Sequence, residues 1–136
     1  MGIFNSSPHG ATPICHHISQ IIERIRRIEP QLRANRQMVC VTIATDGLSS
    51  DGDIATAMAR LKNLPVWVVI RMCTDDDHIV DYWNNLDSQL EVDMDVLDDL
   101  SAEGDEVTDN NPWLTYGEPM HRLREFGIPI KEIGTV

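Results

Sequence analysis

Cysteine is scarce. Cys15, Cys40 and Cys73 are the only three, odd in number and widely spaced, which excludes a disulfide framework and a cysteine-rich zinc site. Cys40 and Cys73 sit in apolar runs, so the sequence predicts reduced core residues in an intracellular, cytoplasmic protein. No apolar run approaches the ~20 residues that a membrane helix requires. Positive charge is also short: 11 lysines and arginines face 22 acids, a net charge of −11 with neutral histidines. Such a chain repels phosphate backbones, which excludes a nucleic-acid partner. There is no Gly-x-Ser-x-Gly elbow, phosphate loop or dinucleotide fingerprint to carry hydrolytic or cofactor chemistry. No secretory signal, internal repeat or dividing linker is found.

What is present suits one globular domain. The 136 residues are read as a single domain, 1–136, with 42% hydrophobic and 24% charged residues, enough apolar material for a core. Met1-Gly2-Ile3-Phe4-Asn5-Ser6 matches the short myristoylation pattern. No polybasic segment follows, and one acyl chain alone anchors weakly, so no membrane partner is expected.

Helical and extended patterns alternate along the chain. Ile14, Ile18, Ile21, Ile22, Ile25 and Ile28 form an apolar stripe at helical spacing. Thr12 is placed to cap this helix, Pro13 to occupy its first position and Pro30 to stop it. Met38 to Thr45 is β-branched and nearly all apolar, as in a strand covered on both faces, and Asp46-Gly47 ends it. Ile54, Ala57, Met58 and Leu61 predict a second helix capped by Ser50 or Asp51; Val66 to Met72 predicts a second buried strand. A third helix begins at Asp75, Asp76 and Asp77 and turns Ile79, Val80, Trp83 and Leu86 inward. Leu90 to Met94 suggests a short strand, and Val96, Leu97 and Leu100 a short helix. The acidic stretch Ala102 to Asn111 reads as a surface loop. A last helix carries Met120, Leu123 and Phe126, with Gly127 as its C-cap, and Ile128 to Ile133 as an edge strand containing Pro129. The order is that of an α/β protein with a mostly parallel sheet flanked by helices, whose sites lie at the carboxyl ends of the strands, here Asp46 to Asp53 and Thr74 to His78.

Gly10-Ala11-Thr12-Pro13-Ile14, followed after a helix by Val41-Thr42-Ile43-Ala44-Thr45-Asp46-Gly47, resembles the von Willebrand factor A (vWA) family. The apolar strand Val66 to Met72 falls where that family expects one. The resemblance implies a Rossmann-like fold with a metal-ion-dependent adhesion site at the strand carboxyl ends. It implies that Thr12 and Asp46 are the threonine and aspartate metal ligands, with Mg2+ as the metal. The family's first metal motif, Asp-x-Ser-x-Ser, occurs nowhere in the chain, and Ser49 and Ser50 stand on the wrong side of Asp46 to replace it. The motifs cover residues 8 to 73, so the resemblance implies a truncated, partial vWA-like domain with a weak or incomplete Mg2+ site, or none.

Other acids and histidines have plainer readings. Asp51, Asp53 and Asp75 to Asp77 suit helix starts, where carboxylates complement the dipole. Asp93 to Asp109 reads as a solvated acidic face without EF-hand spacing. His9, His16, His17 and Cys15 do not make a transition-metal site, because His16 and His17 point apart on a helix. His121 reads as a surface or packing residue, and Trp67, Trp83 and Trp113 as core or half-core. Asn111 to Gly117 is distinctive, with no assigned chemistry.

The functional expectation is a non-enzymatic, vWA-like protein-binding module acting through a remnant of the adhesion site. In that family an acidic side chain of a protein partner completes the metal shell. The alternatives are a magnesium-dependent hydrolase built on Asp46, Asp51 and Asp75 to Asp77, or a fragment without independent activity. The strand Met38 to Thr45, internal in the family, would here present a free edge, so self-association is expected.

Overall fold

β-Branched runs in this chain become adjacent strands of one parallel sheet. The computed structural model describes residues 11–128. The Gly2 myristoylation pattern, and all but the first residue of the expected strand Ile128 to Ile133, lie outside them. The elements are α1 (Ile14–Ala34), β1 (Val39–Thr45), α2 (Ile54–Ala59), β2 (Val66–Met72), α3 (Asp77–Gln89), β3 (Met94–Leu97), α4 (Leu100–Asn110) and α5 (Glu118–Glu125). The strand order is β1-β2-β3. β1 and β2 run parallel from Val39↔Val66 to Thr45↔Met72, and β2 and β3 from Val68↔Met94 to Arg71↔Leu97. Each parallel pair is joined through a helix, α2 for the first and α3 for the second, as parallel pairing requires. The most apolar strand, β2, is central and buries Val66, Val68, Val69, Ile70 and Met72.

Alternation along the strands makes two unlike faces. On one, Val41, Val68, Ile70 and Met94 pack with the α1 stripe Ile14, Ile18, Ile22 and Ile25, with Ile54, Met58 and Leu61, and with Trp83 and Leu86 of α3. On the other lie Trp67, Val69, Arg71, Asp95 and Leu97, flanked on β1 by Cys40, Thr42 and Ala44. The end of α5 rests on this second face. Gly127 has φ +76°, and a Cβ there would overlap Cys40 Sγ and approach Trp67 Cδ1 to 3.3 Å. The Gly127 N–H donates to Arg124 O (2.8 Å) and the Ile128 N–H to Leu123 O (3.1 Å), closing the helix as expected of a glycine C-cap.

Several sequence expectations need correction. Pro30 does not stop α1, which runs on to Ala34. Half-buried Leu32 packs on the core beyond it, and Arg33 donates to Glu29 (2.8 Å) and to Asn63 O (2.5 Å), which together offset the lost backbone bond. The third strand is Met94–Leu97 and not Leu90 to Met94; pairing with β2 sets its register. The stretch read as the loop Ala102 to Asn111 is the helix α4, capped by Asp99 through the Ala102 N–H (2.8 Å), with Glu103 and Val107 buried. Cys40 and Cys73 are exposed, because Cys40 points away from the α1 side and Cys73 lies past the end of β2. Trp83 is wholly buried and Trp67 half-buried, but Trp113 is 78% exposed.

Candidate functional site

The carboxyl edge of the sheet is organised by one loop, residues 46–53. Thr45 is buried at the end of β1; its hydroxyl donates to Gly47 O (3.0 Å) and accepts from the Gly47 N–H (3.2 Å), which turns the chain tightly past Asp46. Trp83 Nε1 donates to the same Gly47 carbonyl at 3.4 Å, tying the turn to the core. The loop then crosses the start of α1. The Ser50 N–H donates to Thr12 O at 3.0 Å. The Asp51 carboxylate accepts from the Cys15 N–H (3.1 Å) and the His16 N–H (2.8 Å), and Ser49 Oγ donates to it at 2.5 Å. Gly52 passes close over Cys15 with φ +149°, and a Cβ there would lie 3.6 Å from Cys15 Sγ.

The cap of α1 therefore comes from 36 residues downstream. Pro13, not Thr12, holds the N-cap position, and no side chain from that stretch caps the helix. A carboxylate satisfies two orphan amides and sits at the positive end of the dipole, which a threonine hydroxyl cannot match. The Ser49 hydroxyl, and then the His16 and Cys15 amides, hold the Asp51 carboxyl below its ordinary range. Replacing Asp51 by alanine is expected to lower the melting temperature by several degrees at neutral pH, with less loss in Asp51→Asn. This contribution exists above the ordinary carboxylate range and fades as pH falls through the depressed value, so the two melting curves converge in acid.

Neither Ser50 nor Asp51 caps α2; Asp53 does, accepting from the Thr56 N–H (3.0 Å) and hydroxyl (2.5 Å). Asp76 caps α3 through the His78 N–H (3.0 Å), and Asp75 and Asp77 stay exposed. The rings of His16 and His17 meet edge-on at 5.6 Å. Among the described residues no three His, Cys, Asp or Glu side chains gather as a metal-binding group.

Thr12 and Asp46 are both exposed, the first just before α1 and the second just after β1. The Ser50–Thr12 bond brings the Thr12 backbone onto the loop that Asp46 begins. A hydroxyl and a carboxylate are hard oxygen donors of the kind magnesium takes, so the chemistry of the pair fits the metal. Two such groups leave most of an octahedron to water, which suits weak binding only.

A second polar assembly, missed from the sequence, lies on the α5 face. Arg124 is buried and donates from Nε and Nη2 to the two Asp95 oxygens (3.1 and 3.0 Å), and from Nη1 to Glu103 (2.5 Å) and Tyr116 Oη (3.2 Å). Glu103 also accepts from the Asp98 N–H at 2.9 Å. Burial opposes charge on both Arg124 and Glu103. For Arg124 the hydrogen bonds and charges of Asp95 and Glu103 outweigh it, and its pKa rises; for Glu103 burial wins and raises the carboxyl. Tyr116 Oη is 3.0 Å from His121 Nδ1, and Arg71 binds Glu125 (3.0 Å) and the carbonyl of Asp98 (2.6 Å). Tyr116 gives the Asn111 to Gly117 segment a structural part in this assembly. The signal in the sequence is slight: Arg122 has local partners in Glu118 and Glu125, but nothing in the chain order marks Arg124 for Asp95 and Glu103.

These features define a class, an α/β protein with a small parallel sheet flanked by helices, consistent with a Rossmann-like arrangement. No helix among the described residues is long and apolar enough to cross a membrane. Compared with family models, curated proteins and solved structures, the chain finds no match.

Proposed function

We propose that the chain is a vWA-like protein-binding module, in which Thr12 and Asp46 offer oxygen ligands to Mg2+ and an acidic side chain of the partner completes the shell. The observation that carries the reading is the Ser50–Thr12 hydrogen bond of 3.0 Å, which joins the Thr12 stretch to the loop begun by Asp46. When bound, the metal supplies a positive bridge between two sets of oxygens. The chain's part is to hold the exposed Thr12 hydroxyl and Asp46 carboxylate at one edge of a rigid sheet. Asp51 and Asp76, which a hydrolase would need around a metal, are engaged as helix caps, and this favours binding over hydrolysis. Self-association belongs to the same proposal. Among the described residues β1 is the outer strand beside β2, and its seven residues carry no charge to discourage edge pairing.

The test is titration with magnesium by calorimetry and with manganese by paramagnetic line broadening. Binding weaker than micromolar is expected, with broadening centred on Thr12 and Asp46 and lost in Asp46→Ala. Few protein ligands give little return for dehydrating a hard cation. Broadening that is spread over the acidic surface and persists in Asp46→Ala would remove these two residues from the metal-binding reading.

A further inference from the structure

α5 is held on the sheet by polar groups, and one of them is poised to lose its place when protonated. The His121 side chain is only 4% exposed. Arg124 can only donate, so the Tyr116 oxygen accepts from Arg124 Nη1 and turns its own proton to His121 Nδ1, 3.0 Å away. That arrangement requires the neutral imidazole with its hydrogen on Nε2. Nε2 is buried without a hydrogen-bond partner, 3.7 Å from Glu125 Oε1.

We infer that His121 is a pH-operated latch: protonation of its imidazole releases α5, together with the Tyr116 segment, from the second face of the sheet. A proton arriving on Nδ1 reverses this bond: Nδ1–H must donate to the Tyr116 oxygen, which then accepts twice, and the phenol hydrogen turns away and loses its buried acceptor. The new cation is faced by Arg71 from β2 and by Arg124 and Arg122 from α5 itself. Glu125 is the acid beside it, but Glu125 already binds Arg71 (3.0 Å) and Arg122 (2.7 Å). Asp95 from β3 and Glu103 from α4 are both committed to Arg124. Burial, and then the Arg71 charge, hold the imidazole pKa below its ordinary value of 6.5, in line with this geometry. The sign follows: the folded form takes up this proton less readily than the open form. The latch is therefore fully closed above pH 6.5 and weakens as pH falls below it. Opening uncovers the side of the sheet that carries Trp67, Val69 and Leu97.

Amide hydrogen exchange of the full chain, corrected for the intrinsic rate at each pH, tests this. In the native protein the opening constant of α5 amides should rise by up to about tenfold per pH unit below 6.5, the slope of a single proton. The rise should be confined to α5 and the Tyr116 segment, with α1 and α3 unaffected, and should vanish in His121→Gln. That comparison also removes any part due to Glu103, whose raised carboxyl acts in the opposite sense as pH falls. An unchanged slope in His121→Gln overturns the latch, as does an equal rise in α1. If His121→Gln does not fold, the imidazole is titrated by NMR in the native protein. A midpoint below 6.5 that α5 amide shifts follow supports the latch; a midpoint at or above 6.5, or α5 shifts that ignore it, overturns it.

Discussion

Arg124→Ala is expected to destabilise the protein by about 3–5 kcal/mol, because it leaves Asp95 and Glu103 buried and without their cation. In a domain of this size that is a fall of roughly 10–20 °C in melting temperature. The loss comes less from the two ion pairs than from the carboxylates stranded behind them. Asp95 is 2% and Glu103 4% exposed, so water cannot take the place of the guanidinium. Arg124→Lys should recover little, since an ammonium cannot serve both Asp95 oxygens and Glu103 in one fork. Replacing all three, Arg124→Met with Asp95→Leu and Glu103→Leu, should recover much of the loss, because paired charges and an apolar cluster of like volume are close in energy. Urea unfolding of the four proteins checks this. A single-variant loss near 1 kcal/mol would mean that water reaches the carboxylates, and the cluster would then count as a surface network.

Trp83→Ala should cost a comparable amount, about 3–5 kcal/mol, by opening a cavity where α3 meets the sheet. Trp83 is wholly buried and belongs to the principal core with Val68, Ile70 and Ile18. The indole does more than fill volume, since its N–H holds Gly47 O at 3.4 Å in the turn after β1. Trp83→Phe keeps most of the apolar contact and loses that bond, so it should cost about 1 kcal/mol. In both, amides of residues 46–50 should exchange faster, because the turn loses its tie to the core. Denaturant unfolding gives the first quantity and exchange the second. Identical unfolding midpoints for Trp83→Ala and the native protein would contradict the burial of this side chain.

Much of the architecture was legible along the chain because it is carried by local periodicity. The isoleucine stripe of α1 and the β-branched run of β2 state their own conformation and their buried side. So do the inward Trp83 and Leu86 of α3. The β1 run states its conformation but reads as covered on both faces, whereas Cys40, Thr42 and Ala44 are exposed, because β1 lies at the outside of the described sheet. Gly127 announced the end of α5 because only a residue without Cβ accepts that backbone against Cys40. The acidic stretch Ala102 to Asn111 reads as a loop, and not as part of α4, for a physical reason. A run of acids has the composition of a solvated surface, and its helix depends on burying Val107 and on Arg124, 21 residues away, receiving Glu103.

The candidate site divides along the same line. Thr12 and Asp46 could be marked from the sequence, because a Thr-Pro helix start and a Thr-Asp-Gly strand end are contiguous patterns. The hydrogen bond from Ser50 N–H to Thr12 O, which ties the loop after Asp46 to the stretch before α1, depends on the tertiary fold. The cap of α1 is the plainest case. Along the chain Thr12 is the nearest cap for α1, whereas Asp51 reads as a cap of α2. The loop path, with Gly52 lying over Cys15, delivers the Asp51 carboxylate instead, and a charge at the positive end of the dipole outcompetes a hydroxyl. Periodicity along the chain thus determined α1, α2, α3, α5 and the two long strands, since each residue's environment repeats with its own backbone. Which cap serves which helix, where β3 takes its register and how Arg124 finds its two carboxylates were decided only in the tertiary structure. Those interactions join groups tens of residues apart, and their strength comes from the exclusion of water that packing alone creates.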